Sequence, residues 1–265
     1  MPAMDEKRVE EHWNANARAW TALTRAGCDR YRDHLNLPAF LDLLPDVRDR
    51  IGIDVGCGEG HCTRRIAERG ARMVGVDLSE AFVAAAGEAE AREPLGIAYC
   101  RASAARLPFE SGSLDFATAI MSLMDMPEPG KAMSEAHRVL RPGGFLQFSL
   151  SHPCFETPHR RNLRDGAGRT YAREVGGYFE RRDGEIDEWT FGSATAEQRA
   201  RYPKFRIPRF TRTLGEWIDL VLGAGFAVER LREPCPDAAL VAERPELQDA
   251  SVVAYFLHVL ARKPA

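Results

Sequence analysis

Three glycines and an aspartate carry the clearest chemical signal in the chain. Residues 51–60 read Ile-Gly-Ile-Asp-Val-Gly-Cys-Gly-Glu-Gly. Gly56, Gly58 and Gly60 have no Cβ, so the backbone there can turn tightly and lie directly against a ligand. A helix expected near Gly60 to Arg69 would aim its unsatisfied N–H groups at the same place. Further on, Val74-Gly75-Val76-Asp77-Leu78 ends in a carboxylate able to accept hydrogen bonds from both hydroxyls of a ribose. Together these groups suit a nucleoside-containing ligand. A second set of side chains could move protons. His152 ends the run Ser149-Leu150-Ser151-His152-Pro153, and an imidazole titrates near neutrality. Asp125, Glu156, His159 and Tyr178 are further candidates.

The elements that must position these groups follow from apolar patterning. Ile51, Ile53 and Val55 are short and apolar, as in a strand buried on both faces. Strands are expected near 50–55, 72–77, 97–102, 114–120 and 145–151, with helices between them. Thr213 to Leu222 has helical spacing and is stopped by Gly223 and Gly225. Phe226 to Leu231 and Val252 to Ala261 read as a final pair of strands. Alternating strands and helices predict a parallel sheet that binds ligands at its carboxyl edge. Residues 1–47 read as helical, with Trp13 and Trp20 on one face. That segment is expected to pack on the domain and close over the ligand. Arg32 could pair with a carboxylate of the ligand, but solvated surface charge is the preferred reading, because most arginines are exposed.

Residues 48–152 resemble the core of the class I S-adenosylmethionine (SAM) methyltransferases, of the ubiquinone/menaquinone methyltransferase-like group. The resemblance rests on acid-x-Gly-x-Gly-x-Gly at Asp54 to Gly60 and on Asp77 at the next strand end. It extends to Ala102-Ser103-Ala104-Ala105-Arg106-Leu107-Pro108-Phe109 and to Glu135 to Phe145, with its Arg141-Pro142-Gly143-Gly144 turn. Residues 213–263 fit the family loosely. A dinucleotide site would place its third glycine at position 61, where this chain has His61. The resemblance implies an α/β, Rossmann-like sheet of seven strands with the last antiparallel, plus N-terminal helices and an inserted lid. It implies SAM as cofactor, S-adenosylhomocysteine (SAH) as product and a small-molecule acceptor. It assigns Asp54, Gly56, Cys57, Gly58, Gly60, Asp77, Leu78, Ser103, Ala104 and Met121 to the cofactor site. Ser103 stands where many members carry Asp. Trp20, Asp125, His159 and Tyr178 are assigned to substrate, and His152 is the candidate general base for an in-line methyl transfer. Asn-Pro-Pro-Tyr is absent after strand four, which sets aside the amino-methyltransferase motif. Cys154 follows strand five with Phe155 beside it, unlike the cysteine nucleophile of cytosine methyltransferases.

Two segments lie outside the core. Residues 1–47 are expected to form an N-terminal helical cap to a SAM-binding domain at 48–265. Residues 151–212 are an insertion rich in Tyr, Phe, Trp and Arg. A structureless loop of that length is improbable in a compact domain, so it reads as a lid over a flat or anionic small molecule. A structural flap or dimer interface is the alternative, and a homodimer is compatible with it. The net charge of −3 gives no reason to expect nucleic acid, although His159-Arg160-Arg161-Asn162-Leu163-Arg164 is locally basic. An RNA- or protein-modifying enzyme, and a non-catalytic SAM- or nucleotide-binding protein, are therefore alternatives. No apolar run is long enough to span a bilayer, and the first residues lack a signal-peptide core, so the expected compartment is the cytoplasm. The six cysteines have no zinc spacing and are expected to be reduced packing residues. No metal is expected.

Overall fold

The computed structural model describes residues 4–265. Seven strands form the central sheet: β1 Ile51–Val55, β2 Arg72–Asp77, β3 Ala98–Arg101, β4 Leu114–Ile120, β5 Leu140–Ser151, β10 Ala227–Arg232 and β11 Phe256–Arg262. Their order is β10-β11-β5-β4-β1-β2-β3. β1 to β5 run parallel to one another, whereas β11 is antiparallel to both β5 and β10. This is the seven-stranded sheet with a reversed last strand that the sequence predicts.

Side-chain alternation divides the core between two faces. Leu146, Phe148 and Leu150 of β5 and Leu257 and Val259 of β11 pack with Met133 of α5 (Pro129–Val139) and with Trp217 and Val221 of α7 (Leu214–Gly223). On the other face, Phe116, Phe145 and Leu260 meet Leu37 and Leu41 of α2 (Leu37–Leu43) and Ile66 of α3 (His61–Ala67). α4 (Glu80–Arg92) begins with Ser79 capping Phe82 N, which starts it directly after the β2 carboxylate. α7 begins with a reciprocal cap between Thr213 and Glu216, where an exposed N-terminus would otherwise leave free donors.

Two strand boundaries differ from expectation. β5 starts at Leu140, because Leu140 pairs with Leu114 before the Arg141–Gly144 turn bulges out and the register resumes at Phe116 and Phe145. β11 starts at Phe256, not Val252. The preceding residues form a 3-10 turn, Pro245–Ser251, which buries Leu247 and Ala250 and sends Tyr255 to stack on Tyr31.

The inserted segment is folded. β6 (His159–Arg164) and β7 (Thr170–Gly176) form one hairpin; β8 (Asp183–Trp189) and β9 (Phe205–Phe210) form a second pair, bridged by α6 (Ala196–Arg201). The long N-terminal helix α1 (Glu6–Arg25) lies against β9. Asn16 exchanges two hydrogen bonds with the Arg206 backbone, at 3.0 and 3.1 Å. Ala19 and Leu23 of α1 share a small core with Phe191, Phe205 and Ile207 of the insertion. The cap is thus built jointly from the N-terminal helix and the insertion.

Gly52 of β1 measures how tightly the sheet's inner strands are packed. A Cβ there would lie 2.2 Å from the ring of Phe116, itself fully buried and stacked on Phe145 at 5.3 Å. Gly52→Ala should cost about 1–3 kcal/mol through overpacking. Denaturant unfolding that leaves the midpoint unchanged would contradict this packing.

Candidate active site

A cavity of about 880 Å³ opens where β1, β2 and β4 end and the cap begins. The glycine turn forms its floor. Gly56, Gly58 and Gly60 all have φ in the left-handed region, at 72°, 55° and 85°, which glycine adopts without strain. Gly56 must also lack a side chain because its Cβ would sit 2.4 Å from Ser122 Cβ. Gly58 differs: a Cβ there would meet no protein atom within 4 Å, and the residue faces the cavity. That bare stretch of backbone is where a ligand can approach.

Two aspartates, Asp54 buried and Asp77 partly exposed, hold the turn in place. Asp54 accepts hydrogen bonds from Thr63 Oγ1 at 2.6 Å and Thr118 Oγ1 at 2.9 Å. It lies behind the turn, tying β1 to α3 and β4, and does not line the cavity. Asp77 does line it. Its Oδ2 accepts from Gly58 N at 2.8 Å and its Oδ1 from Ser79 N at 2.9 Å. Burial pushes both carboxyls up to about 6, opposed by these same hydrogen bonds.

Glu59 connects the turn to the cap. Its Oε1 accepts from Arg32 Nη1 at 3.0 Å and Thr24 Oγ1 at 3.4 Å, and its Oε2 accepts from His61 N at 3.1 Å. Arg32 is therefore not the solvated surface charge expected from sequence. Its side chain is 12% exposed, paired with Glu59 and Asp33, and part of the cavity wall. Burial opposes its charge, but Glu59, Asp29 and Asp33 around it keep it more firmly protonated than usual.

Across the cavity, β4 ends in a strained turn. Met121 has φ 55°, an uncommon conformation for a side chain of its size and one frequent at ligand sites. It lines the cavity, as do Cys57, Leu78 and Ala104. Asp125 follows on a 3-10 turn, Leu123–Asp125. It is 8% exposed, faces the cavity, and its Oδ1 has no hydrogen-bond partner. Burial pushes its carboxyl up to about 7, with Arg209 of β9 drawing it back. Above these groups Trp20 packs against Phe205 at 4.9 Å and Trp189 at 5.9 Å, forming an aromatic roof.

The remaining expected residues lie elsewhere. His152 is 2% exposed and outside the cavity wall. Its Nδ1 accepts from Cys154 N at 3.2 Å, so Nε2 carries the proton and donates to Glu233, 2.7 Å away. The turn from His152 to Glu156 swings the ring onto Phe155, leaving no lone pair for an acceptor. His159 is exposed and paired with Glu180 at 2.9 Å. Tyr178 lies in an adjoining recess, its Oη accepting from Leu214 N at 2.8 Å. Gly60 is packed under Tyr99, whose Oη would lie 2.7 Å from a Cβ. Ser103 bonds Glu6 of α1, while its neighbours Ala102 and Ala104 line the cavity.

Sequence reasoning missed Glu59, Asp29 and the cap arginines Arg182 and Arg209 as wall residues. Glu59 stands inside the glycine motif and was open to notice; nothing local marks the others. The basic run of β6 is neutralised within the chain: Arg160 pairs with Glu156, Arg161 with Glu174 and Arg164 with Asp249. Among the described residues no group of three or more His, Cys, Asp or Glu side chains is arranged to hold a metal. No helix of these residues is long and apolar enough to cross a membrane.

A doubly wound sheet with a reversed last strand, a glycine turn and an acid at the end of β2 defines a Rossmann-like nucleoside-binding protein of the methyltransferase type. Comparison with known proteins agrees. A family model described as a methyltransferase domain matches residues 53–148. The crystal structure of an S-adenosylmethionine-dependent methyltransferase from Mesorhizobium loti is 30% identical, covers 85% of this chain and 96% of its own, and superposes with a TM-score of 0.68. The chain belongs to the SAM-dependent methyltransferase family. It is also similar to the ubiquinone biosynthesis O-methyltransferase of Methylococcus capsulatus, 33% identical over 42% of this chain and 47% of the relative. A sterol 4-C-methyltransferase of Caenorhabditis elegans is 38% identical over 44% of this chain and 35% of the relative. The chain thus spans half or less of the length of these curated relatives.

The raised Asp125 carboxyl makes stability depend on pH. An aspartate whose folded value lies near 7 instead of 3.8 binds its proton more tightly in the native state. Its favourable contribution is present in acid and is lost as pH rises through about 7. Asp125→Asn should therefore raise the melting temperature relative to wild type at pH 8, with the advantage shrinking as pH falls towards 4. Thermal melts in which the gain is the same at every pH would contradict a desolvated, ionisable Asp125.

Proposed function

We propose that the protein transfers a methyl group from SAM to an O, N, S or C nucleophile of a small molecule, releasing SAH. The observation that carries this reading is the open face of Gly58 beside the Asp77 carboxylate. Both suit a nucleoside with a charged tail. Asp77 uses one lone pair of each oxygen on backbone N–H groups, which leaves acceptors for ribose hydroxyls. Leu78, Phe82 and Ala104 offer apolar surface for the adenine. Arg32, held by Glu59 and Asp33, offers a fixed cation to a carboxylate at the other end of the cavity.

SAM, when bound, supplies an electrophilic methyl group and a neutral thioether leaving group. The remaining tasks are alignment, exclusion of water and, for a protic nucleophile, removal of a proton. We assign the last to Asp125 in place of His152. Asp125 is buried, lines the cavity and has one oxygen short of a partner, whereas both ring nitrogens of His152 are engaged. A carboxylate ionising near 7 is well matched to proton transfer at neutral pH. The aromatic roof of Trp20 and Trp189, carried by α1 and the insertion, keeps the site dry. A free small molecule is favoured over a polymer because the basic run of β6 is already paired within the chain.

Calorimetry with SAH tests the cofactor site. Asp77→Ala should weaken SAH binding by about 1.5–3 kcal/mol, the range for lost hydrogen bonds to a charged group; unchanged affinity would sink the assignment. Methyl transfer from labelled SAM to phenols, amines, thiols and keto acids tests the chemistry. With a protic acceptor, Asp125→Asn should lower turnover by about 10²- to 10⁴-fold while SAH affinity stays near wild type. The wild-type rate should rise with pH through about 7. A rate indifferent to the substitution would remove Asp125 from the reaction.

A further inference from the structure

Beside the main cavity, behind the 3-10 turn that carries Asp125, lies a recess of about 80 Å³. The two share walls at Arg160, Arg182, Asp187 and Arg209, so they adjoin. Four arginines line it, Arg160, Arg182, Arg209 and Arg212, against two carboxylates, Glu156 and Asp187. The carboxylates are already committed. Glu156 pairs with Arg160 and with Arg173, and Asp187 with both Arg182 and Arg209.

Arg212 is left over. Its Nη2 donates to the Pro127 carbonyl at 2.9 Å, and its guanidinium lies over Trp217, 5.5 Å from the ring centroid. No carboxylate lies within ion-pair distance of it among the described residues, and its Nη1 is buried without a hydrogen-bond partner. Burial and the nearby Arg181 work against its charge, partly offset by Asp183 and Glu216 at longer range. Arg212 thus lines a recess with an excess of positive charge, half-buried and with no carboxylate paired to it, an arrangement that favours an anion. A planar, bidentate acceptor of small volume suits it best, and a carboxylate is such a group.

We propose that this recess binds the carboxylate of the methyl acceptor, so that the acceptor is an organic acid whose nucleophile lies in the main cavity beside Asp125. This rests on the methyl-transfer reading above and adds the substrate class to it. An acid bound here would be oriented at two points, its anion on Arg212 and its reacting group under the Trp20 and Trp189 roof. Neutral analogues of the same shape would lose the first point and bind in many poses.

The test uses benzoate and benzamide, matched in shape and different in charge, titrated into the full chain saturated with SAH. Benzoate should bind the wild type about 10- to 100-fold more tightly than benzamide, the factor expected from one charged hydrogen-bonded pair. Arg212→Gln keeps a donor for the Pro127 carbonyl and should abolish that preference without changing SAH affinity. Arg212→Lys should retain part of it. Equal binding of the two probes by the wild type, or a benzoate preference that survives in Arg212→Gln, would overturn the proposal. If Arg212→Gln does not fold, the wild-type comparison decides alone. Failure to bind SAH at all would instead strike the methyl-transfer reading, so the two failures are distinct.

Discussion

Three stretches of chain converge on the carboxylate of Glu59. Thr24 at the end of α1, Arg32 in the following turn and the His61 amide at the start of α3 all donate to it. The group is nearly dry, and a buried carboxylate stripped of one partner is costly. The glycine turn and the N-terminal segment are therefore positioned together. α1 is held further by Asn14, which accepts from the Ser79 hydroxyl, and by Asn16 on the Arg206 backbone, and these contacts place Trp13 and Trp20 over the cavity. The insertion then closes on α1 through Trp189, Phe191 and Phe205. Glu59 thereby ties the floor of the site to the segment that carries one wall and part of the roof.

The roof in turn sets the electrostatics beneath it. Asp125 belongs to a turn after β4, and β9 of the cap packs against that turn. In a medium of low dielectric, charges act over the cavity more strongly than they would in water. The cap is thus part of the chemistry as well as a barrier to solvent. The β6–β7 hairpin is fixed separately: Asn162, Arg164 and Thr170 all converge on Asp249, in the 3-10 turn before β11. The insertion has one part wedded to the sheet and another wedded to α1.

What the sequence made legible is what depends on local backbone demands. Glycines at 56, 58 and 60 are required by left-handed φ and by close approach, so residue type and geometry map onto each other directly. Asp77 and the strand order are legible for a similar reason, since short apolar runs and terminal turns repeat along the core. The edges of β5 and β11 were not, because a register shift at Leu114 and the burial of Leu247 are decisions of tertiary packing. His152 misled because its position at a strand end was read correctly, whereas the direction of its ring depends on Glu233, far away in sequence. Arg32 misled in the opposite sense, since an average preference for the surface gave way to one buried acid. The arginines of the insertion could be counted in advance, but their pairing could not, and pairing is what separates Arg212 from the rest.

The paired hydrogen bonds between Asn16 and the Arg206 backbone have a consequence for how the molecule comes into being. On the ribosome α1 emerges early, while the strand that receives it is still untranslated. Through most of synthesis its apolar face, with both tryptophans, has no native surface to lie on. Domains made this way expose sticky segments until the late contacts form, and such non-local contacts are slow to assemble. The sheet's five parallel strands can associate before β9 exists, but the roofed cavity cannot. During synthesis, then, the nascent chain passes through a stage with a laid floor and an unclosed chamber, when a chaperone would find the N-terminal helix the easiest segment to hold.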